Sequence, residues 1–222
     1  GEPVPGVRHR WTYVEMLLSS LLSLAASLVL SIDAWILAGD PDAVFSCDIS
    51  SKISCGTVAE SWQATLLGFP NAFLGLIFEP IVITIAVASL GGVRFPRWFM
   101  LGAHALYTIA IAFAYWLFLQ AYFVIGALCP WCLLVTVATT LVFASITRVN
   151  ILDGNLRLGR WHARVVRWLE LGVDTGIVVL VLGVTGVLVT QTPAKAAVAP
   201  GPLTVTAPLG EGTVEVTVDP AM

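Results

Sequence analysis

The chain has 222 residues, 58% of them hydrophobic and only 11% charged. A soluble domain carries roughly 25% charged residues, so this composition excludes a water-soluble globular protein and indicates an integral membrane protein. The formal net charge of -3 leaves no basic surface for nucleic acid, and the cations fall between apolar runs, where their positions report topology.

A bilayer-spanning helix needs about 20 mostly apolar residues. The first stretch that qualifies runs from about Val14 to Ala38, after a short polar N-terminus (1–13). It is too long for a signal-peptide core and no small-residue cleavage site follows, so a retained helix is expected. A Ser-rich loop over about 40–66 comes next and carries Cys47 and Cys55 in "SCDISSKISCGTVAES". The second span covers about Phe69 to Leu90. The third, Trp98 to Val124, and the fourth, Leu128 to Ile146, are nearly fused, because no Lys, Arg, Asp or Glu occurs between Trp98 and Thr147. Gly126 and Pro130 divide them, and a tight hairpin is the economical reading. The fifth span covers about Leu169 to Val189. The tail, 191–222, has Pro and Gly punctuation and an alternating "TVEVTV", which allows at most a β-hairpin. The expected fold is an all-α membrane protein with five spans.

Cations mark the cytoplasmic loops of a membrane protein. Arg8 and Arg10 precede the first span, Arg94 and Arg97 separate the second and third, and Arg148, Arg157, Arg160, Arg164 and Arg167 separate the fourth and fifth. Only Lys52 and Lys195 fall on the other side, so nine of the 11 Lys and Arg agree with one orientation: N-terminus inside, C-terminus outside. Parity then places the 40–66 loop and the turn before the fourth span on the same extracytoplasmic face. All four cysteines share that face, where disulfides persist and, in bacteria, oxidising power comes from quinone-coupled membrane enzymes.

The fourth span opens with "CPWC", Cys129 to Cys132. Pro130 suits the first helical position, which puts Cys129 near the N-cap and Cys132 one turn on. Free N–H groups and the positive end of the helix dipole stabilise a thiolate there, the form that attacks a disulfide or an electrophile. Zinc uses half of the same spacing. The histidines are poorly placed to complete such a site, His9 and His162 being cytoplasmic and His104 inside the third span, and the seven residues between Cys47 and Cys55 make no usual zinc knuckle. The loop pair itself reads either as one static disulfide or as a shuttle between a soluble partner and the CxxC. Two dithiols on one face, with the CxxC opening onto lipid-accessible helices, favour the shuttle and a lipid-soluble quinone as oxidant.

The combination of Cys47 and Cys55, Ser61 six residues later, Asn71 in "FPNAFLG" and a CxxC at the head of the fourth helix resembles the vitamin K epoxide reductase family, in particular its bacterial homologues. The resemblance covers about Val14 to Val189. It implies a four-helix catalytic bundle, followed in bacteria by a fifth transmembrane helix leading to a thioredoxin-like domain or partner. It implies that Cys47 exchanges with the partner, Cys55 relays to Cys129, and Cys132 lies beside the quinone. It makes Asn71 the amide that hydrogen-bonds a quinone carbonyl and Ser61 a hydroxyl below the relay loop. Animal members carry a Tyr where this chain has Thr136, which makes quinone reduction a safer expectation than epoxide chemistry. The tail has no CxxC, so the thiol partner is expected to be a separate protein or a removed domain.

The reading is therefore a thiol:quinone oxidoreductase of the bacterial inner membrane, using menaquinone, ubiquinone or vitamin K and no metal. It would reoxidise an extracytoplasmic thioredoxin-like protein and so support disulfide formation. Its rivals are an epoxide reductase of the animal type and a zinc-binding or disulfide-stapled scaffold. The loop from about Asp40 to Ser61 is expected to be partly helical and mobile. Trp62 is expected as a wall of the quinone pocket. Trp11, Trp98, Trp161 and Trp168 read as an interfacial belt. Ionisable groups in spans point to function by default: Asp33 could face the pocket, though an interfacial or helix contact is the commoner outcome. Glu79 is expected to answer a neighbouring helix, Asp174 to be solvated near the cytoplasmic boundary, and His104 to bond between helices.

Overall fold

The structure, a computed structural model, describes residues 10–156 and 158–191, and the backbone of 203–209 and 212–218. Arg8, His9, Arg157 and Lys195, used above for topology and zinc, lie outside the described residues. The elements in chain order are α1 (Arg10–Gly39), α2 (Cys55–Ala59), a 3-10 turn (Trp62–Thr65), α3 (Ala72–Leu90), α4 (Arg97–Gln120), α5 (Pro130–Leu152), α6 (His162–Glu170) and α7 (Val173–Thr190). Strands β1 (Leu203–Leu209) and β2 (Gly212–Val218) pair antiparallel, the hairpin that "TVEVTV" allows. Five helices, α1, α3, α4 with its extension to Ile125, α5 and α7, are long and apolar enough to cross a membrane. The chain is an all-α membrane protein in its core.

Helices α1, α3, α4 and α5 form one bundle, in which α1 packs on α3 and α5, and α4 packs on α5. Its largest core cluster joins Tyr13, Met16, Val82, Ile85, Tyr107, Val142 and Ile146. The pattern on α1 runs opposite to that of a soluble helix. Ser19, Ser20, Ser23, Ala26, Ser27 and Ser31 are buried, while Leu18, Leu21, Leu22, Leu28, Ile32 and Trp35 are exposed. Lipid is as apolar as leucine, so what the interface rewards is close backbone approach and satisfied hydroxyls. Ser20 and Ser31 accordingly bond back to the carbonyls of Met16 and Ser27, both at 2.7 Å. Gly75 of α3 is the counterpart of this stripe. A Cβ there would overlap Ser27, so only glycine lets the two helices approach this closely.

The break between the third and fourth spans falls where glycine and proline place it. After Gln120 the helix widens into one π turn, Ala121–Ile125, and Gly126 ends it at φ 75 with its N–H on the Ala121 carbonyl. Such a φ is open to glycine and strained for a side chain. Residues 127–129 then lead to Pro130 at the first position of α5.

Two stretches differ from the sequence expectation. The fifth span starts at Val173, after α6 and after Gly172 at φ 73, because the Arg-rich segment before it folds as a short amphipathic helix of its own. Helix α5 runs to Leu152, past Ile146, since Asn150 is sheltered by bonds to the carbonyls of Met100 and Ile146. Helix α7 stands beside the bundle, leaning on α5 and α6 with only Thr185 fully buried. At its base Arg148 of α5 meets Asp174 at 2.6 Å, so Asp174, expected to be solvated, is instead paired with a neighbouring span.

Candidate active site

The cysteine loop is positioned by backbone bonds to the turn that precedes α5. Leu128 N–H donates to the Lys52 carbonyl (2.8 Å) and Ser54 N–H to the Leu128 carbonyl (3.1 Å), a short parallel bridge between Ile53 and Leu128. One residue beyond Ser54 and Leu128 stand Cys55 and Cys129, and their sulfurs lie 3.3 Å apart. Cys55 is joined to Cys47 by a disulfide, while Cys129 and Cys132 are free thiols. Cys129 caps α5, its sulfur accepting from the Cys132 N–H at 3.4 Å, so a thiolate there meets both an amide donor and the positive end of the helix.

Asp48, which no motif in the sequence singles out, holds the loop in shape. Its Oδ2 accepts from the Phe45 N–H (2.8 Å), and its Oδ1 from the Gly56 N–H (2.9 Å) and the Ser54 hydroxyl (2.8 Å). Burial alone would raise its carboxyl, but these donors, with the Cys55 N–H, outweigh it and hold the group below the usual carboxylate range. Ser54 in turn caps α2 by accepting from Thr57 N–H at 3.1 Å. The loop is thus folded onto the bundle: Cys47 is 7% exposed and Cys55 2%.

Below the sulfurs opens a cavity of about 410 Å³, within the range of small-molecule sites. Cys55, Cys129 and Cys132 form part of its wall. Asn71 and Ser61 also face it. The Asn71 amide is fixed by its own donor, Nδ2 giving a 2.6 Å bond to the Gln63 carbonyl, and its Oδ1 is buried without a partner. One N–H and the carbonyl oxygen of that amide therefore remain for an occupant. Ser61 bonds back to the Val58 carbonyl at 2.6 Å, closing α2.

Trp62 corrects the sequence expectation. It is 62% exposed, forms no part of the cavity wall, and meets Trp116 edge-on. In the tight 3-10 turn successive side chains point about 120° apart, and it is Gln63, 3% exposed, that turns inward. Gln63 lines the cavity, supplies the carbonyl that orients Asn71, and reaches Gln120 of α4 at 3.4 Å. The signal that could have found it is a lone amide flanked by apolar residues in "SWQATLLG".

The Asp33 carboxylate faces the loop disulfide and lies outside the cavity wall. A carboxylate oxygen and both sulfurs lie within 4.8 Å of one another, and Oδ2 is buried without a partner. With Cys47 and Cys55 joined, that group offers a metal no thiolate ligand. His104 meets Thr147 of α5 at 3.0 Å, a bond between helices. The Thr136 hydroxyl is spent on the Cys132 carbonyl at 2.9 Å, so α5 presents no free donor below the CxxC at that position.

A sequence model of the family described as "Vitamin K epoxide reductase family" matches residues 14–147. The chain belongs to the vitamin K epoxide reductase family. No curated protein matches the chain. The matched segment takes in both cysteine pairs and runs from α1 into α5. Membership in the vitamin K epoxide reductase family makes the chain a membrane oxidoreductase of thiols and quinones, with quinones as acceptors or substrates.

Proposed function

We propose that the protein passes electron pairs from a thioredoxin-like protein outside the cytoplasmic membrane to a quinone held in the cavity, and thereby supports disulfide formation. The observation that carries this reading is the 3.3 Å contact between Cys55 and Cys129, with the loop pair oxidised and the CxxC reduced. Exchange requires a thiolate in contact with the sulfur it attacks. The partner's dithiol first reduces Cys47–Cys55 through a mixed disulfide at Cys47. The Cys55 thiolate then attacks Cys129 of a Cys129–Cys132 disulfide, releasing the Cys132 thiolate at the cavity. Attack of Cys47 on Cys55 releases Cys129 and regenerates the loop disulfide, the redox arrangement seen here. Oxidation of the Cys129–Cys132 dithiol then balances reduction of one quinone to its quinol, two electrons and two protons on each side.

The chain's own residues supply the setting. Cys132 lines the cavity and Asn71 offers it an amide N–H and a carbonyl oxygen, suited to a quinone oxygen and a quinol hydroxyl respectively. Because Cys47 is nearly buried, access by a protein partner requires the loop over 40–61 to lift. The distribution of Arg and Lys supports placing loop and CxxC on the extracytoplasmic face of the inner membrane.

Two measurements test this. With Cys55→Ala, Cys47 should accumulate as a mixed disulfide with an extracytoplasmic thioredoxin-like protein; recovery of unmodified Cys47 thiol from oxidising membranes would count against the partner. Purified protein given a dithiol should consume menaquinone or ubiquinone faster than vitamin K epoxide. The reverse preference would select the animal-type reaction.

A further inference from the structure

The deep end of the cavity is polar, although it lies within the spans. Glu79 of α3 and Tyr107 of α4 both line it, 5% and 3% exposed, and the Tyr107 hydroxyl donates to Glu79 Oε2 at 3.0 Å. Ser23 of α1 faces the same floor fully buried, its hydroxyl beside the Glu79 carboxyl. A carboxyl group at membrane depth is costly unless it serves a site or a proton path, and helix packing alone is satisfied here by serine and glycine. No ion pair to Glu79 occurs among the described residues.

We propose that Glu79 is the proton donor to the quinone in this cavity, with Tyr107 stabilising the carboxylate left behind. The inference rests on the quinone reading of the cavity and adds the route of a proton. When the Cys129–Cys132 dithiol yields its electron pair, its protons leave at the outer mouth, while the reduced ring needs protons at its oxygens. Asn71 can donate a hydrogen bond to one oxygen but cannot give up a proton. Glu79 lies eight residues further along α3, about 12 Å by helical rise, and its side chain leans back toward the helix start and hence toward the ring. Its proton passes to the quinone oxygen turned to the floor. The other ring oxygen takes one of the two protons the thiols released and the carboxylate is reprotonated by the second, so the sum remains dithiol plus quinone to disulfide plus quinol.

The titratable groups facing Glu79 are few. Helix α4 presents Tyr107, and the outer part of the same cavity presents Cys129 and Cys132, Cys55 being held in the disulfide. Helix α1 presents only Ser23 and Ser27, and α5 below the CxxC only Thr136 and Thr139 among polar side chains. A step that needs a carboxylic acid in the floor therefore has one candidate, Glu79.

The test is quinone reduction by the purified protein with dithiothreitol and a short-chain ubiquinone, across pH 5 to 9. Glu79→Gln keeps the size of the side chain and can still accept from Tyr107. The expected result is at least a tenfold fall in kcat, KM for quinone within threefold, and loss of the alkaline limb that the wild type shows as its acid deprotonates. Tyr107→Phe removes a donor from the carboxylate, so the same limb should move to higher pH, and it serves as the deciding variant if E79Q fails to accumulate. An alkaline limb unchanged in either variant, with wild-type kcat in E79Q, would overturn the proposal while leaving the quinone reading intact. A wild type that reduces no quinone at any pH would remove that reading, and this proposal with it.

Discussion

Asp48→Ala removes one carboxylate that accepts from Phe45 N–H, Gly56 N–H and the Ser54 hydroxyl at 2.8–2.9 Å. A net hydrogen bond contributes about 1 kcal/mol, and water can replace part of each on this half-exposed residue, so the loop should lose about 2 kcal/mol of local stability. At about 1.4 kcal/mol per factor of ten, opening becomes about 30-fold more frequent. Hydrogen exchange reads this directly: the Phe45 and Gly56 amides should exchange about 30-fold faster, while amides of α3 and α5 stay unchanged. The pH dependence has a defined sign. A carboxyl held below its unfolded value stabilises above about pH 4, and that stability is lost as pH falls through the folded value. Loop protection should therefore be flat from pH 7 to 5 and decline below, with no such decline in D48A. Equal exchange at Phe45 and Gly56 in the two proteins would refute the assignment of Asp48 as the loop's tie.

Gly75→Val should lower thermal stability in detergent by about 1–3 kcal/mol, the usual cost of overpacking, because its side chain would displace Ser27 and part α1 from α3. Asn71→Ala should raise KM for quinone about tenfold, the loss of one hydrogen bond of about 1.4 kcal/mol in a closed site, in steady-state quinone reduction. Trp62→Ala should leave that KM within twofold, since the indole lies outside the cavity; a larger rise would return Trp62 to the quinone.

Membrane physics made the spans readable, because a bilayer demands long uncharged helices and the chain offers few other ways to place Trp98 to Thr147. The thiols were readable too, since CxxC at a proline-started helix and a second pair on the same face restrict the chemistry. What brings Cys55 to Cys129 was not. That contact is set by backbone bonds between Lys52, Ser54 and Leu128, which any side chains would permit and which therefore leave no residue signature. Gln63 was hidden for a related reason: which way a residue faces in a four-residue 3-10 turn is decided by the turn's register, and the larger Trp62 drew the reading. Helix α6 was missed because its Arg content suits a loop as well as an amphipathic helix over nine residues. Glu79 was expected to answer a neighbouring helix and does so through Tyr107, yet its place on the cavity floor depends on three helices meeting, which the spacing along one of them does not encode.

The relay from Cys55 to Cys129 is the central claim, and it can be caught as a covalent species. In a Cys47→Ala, Cys132→Ala protein each relay cysteine has lost the thiol that would resolve the exchange. Mild oxidation followed by non-reducing peptide mass spectrometry should recover Cys55 and Cys129 linked to each other in most molecules, as sulfurs 3.3 Å apart require. Recovery of both as free thiols, or as disulfides between separate molecules, would contradict the account.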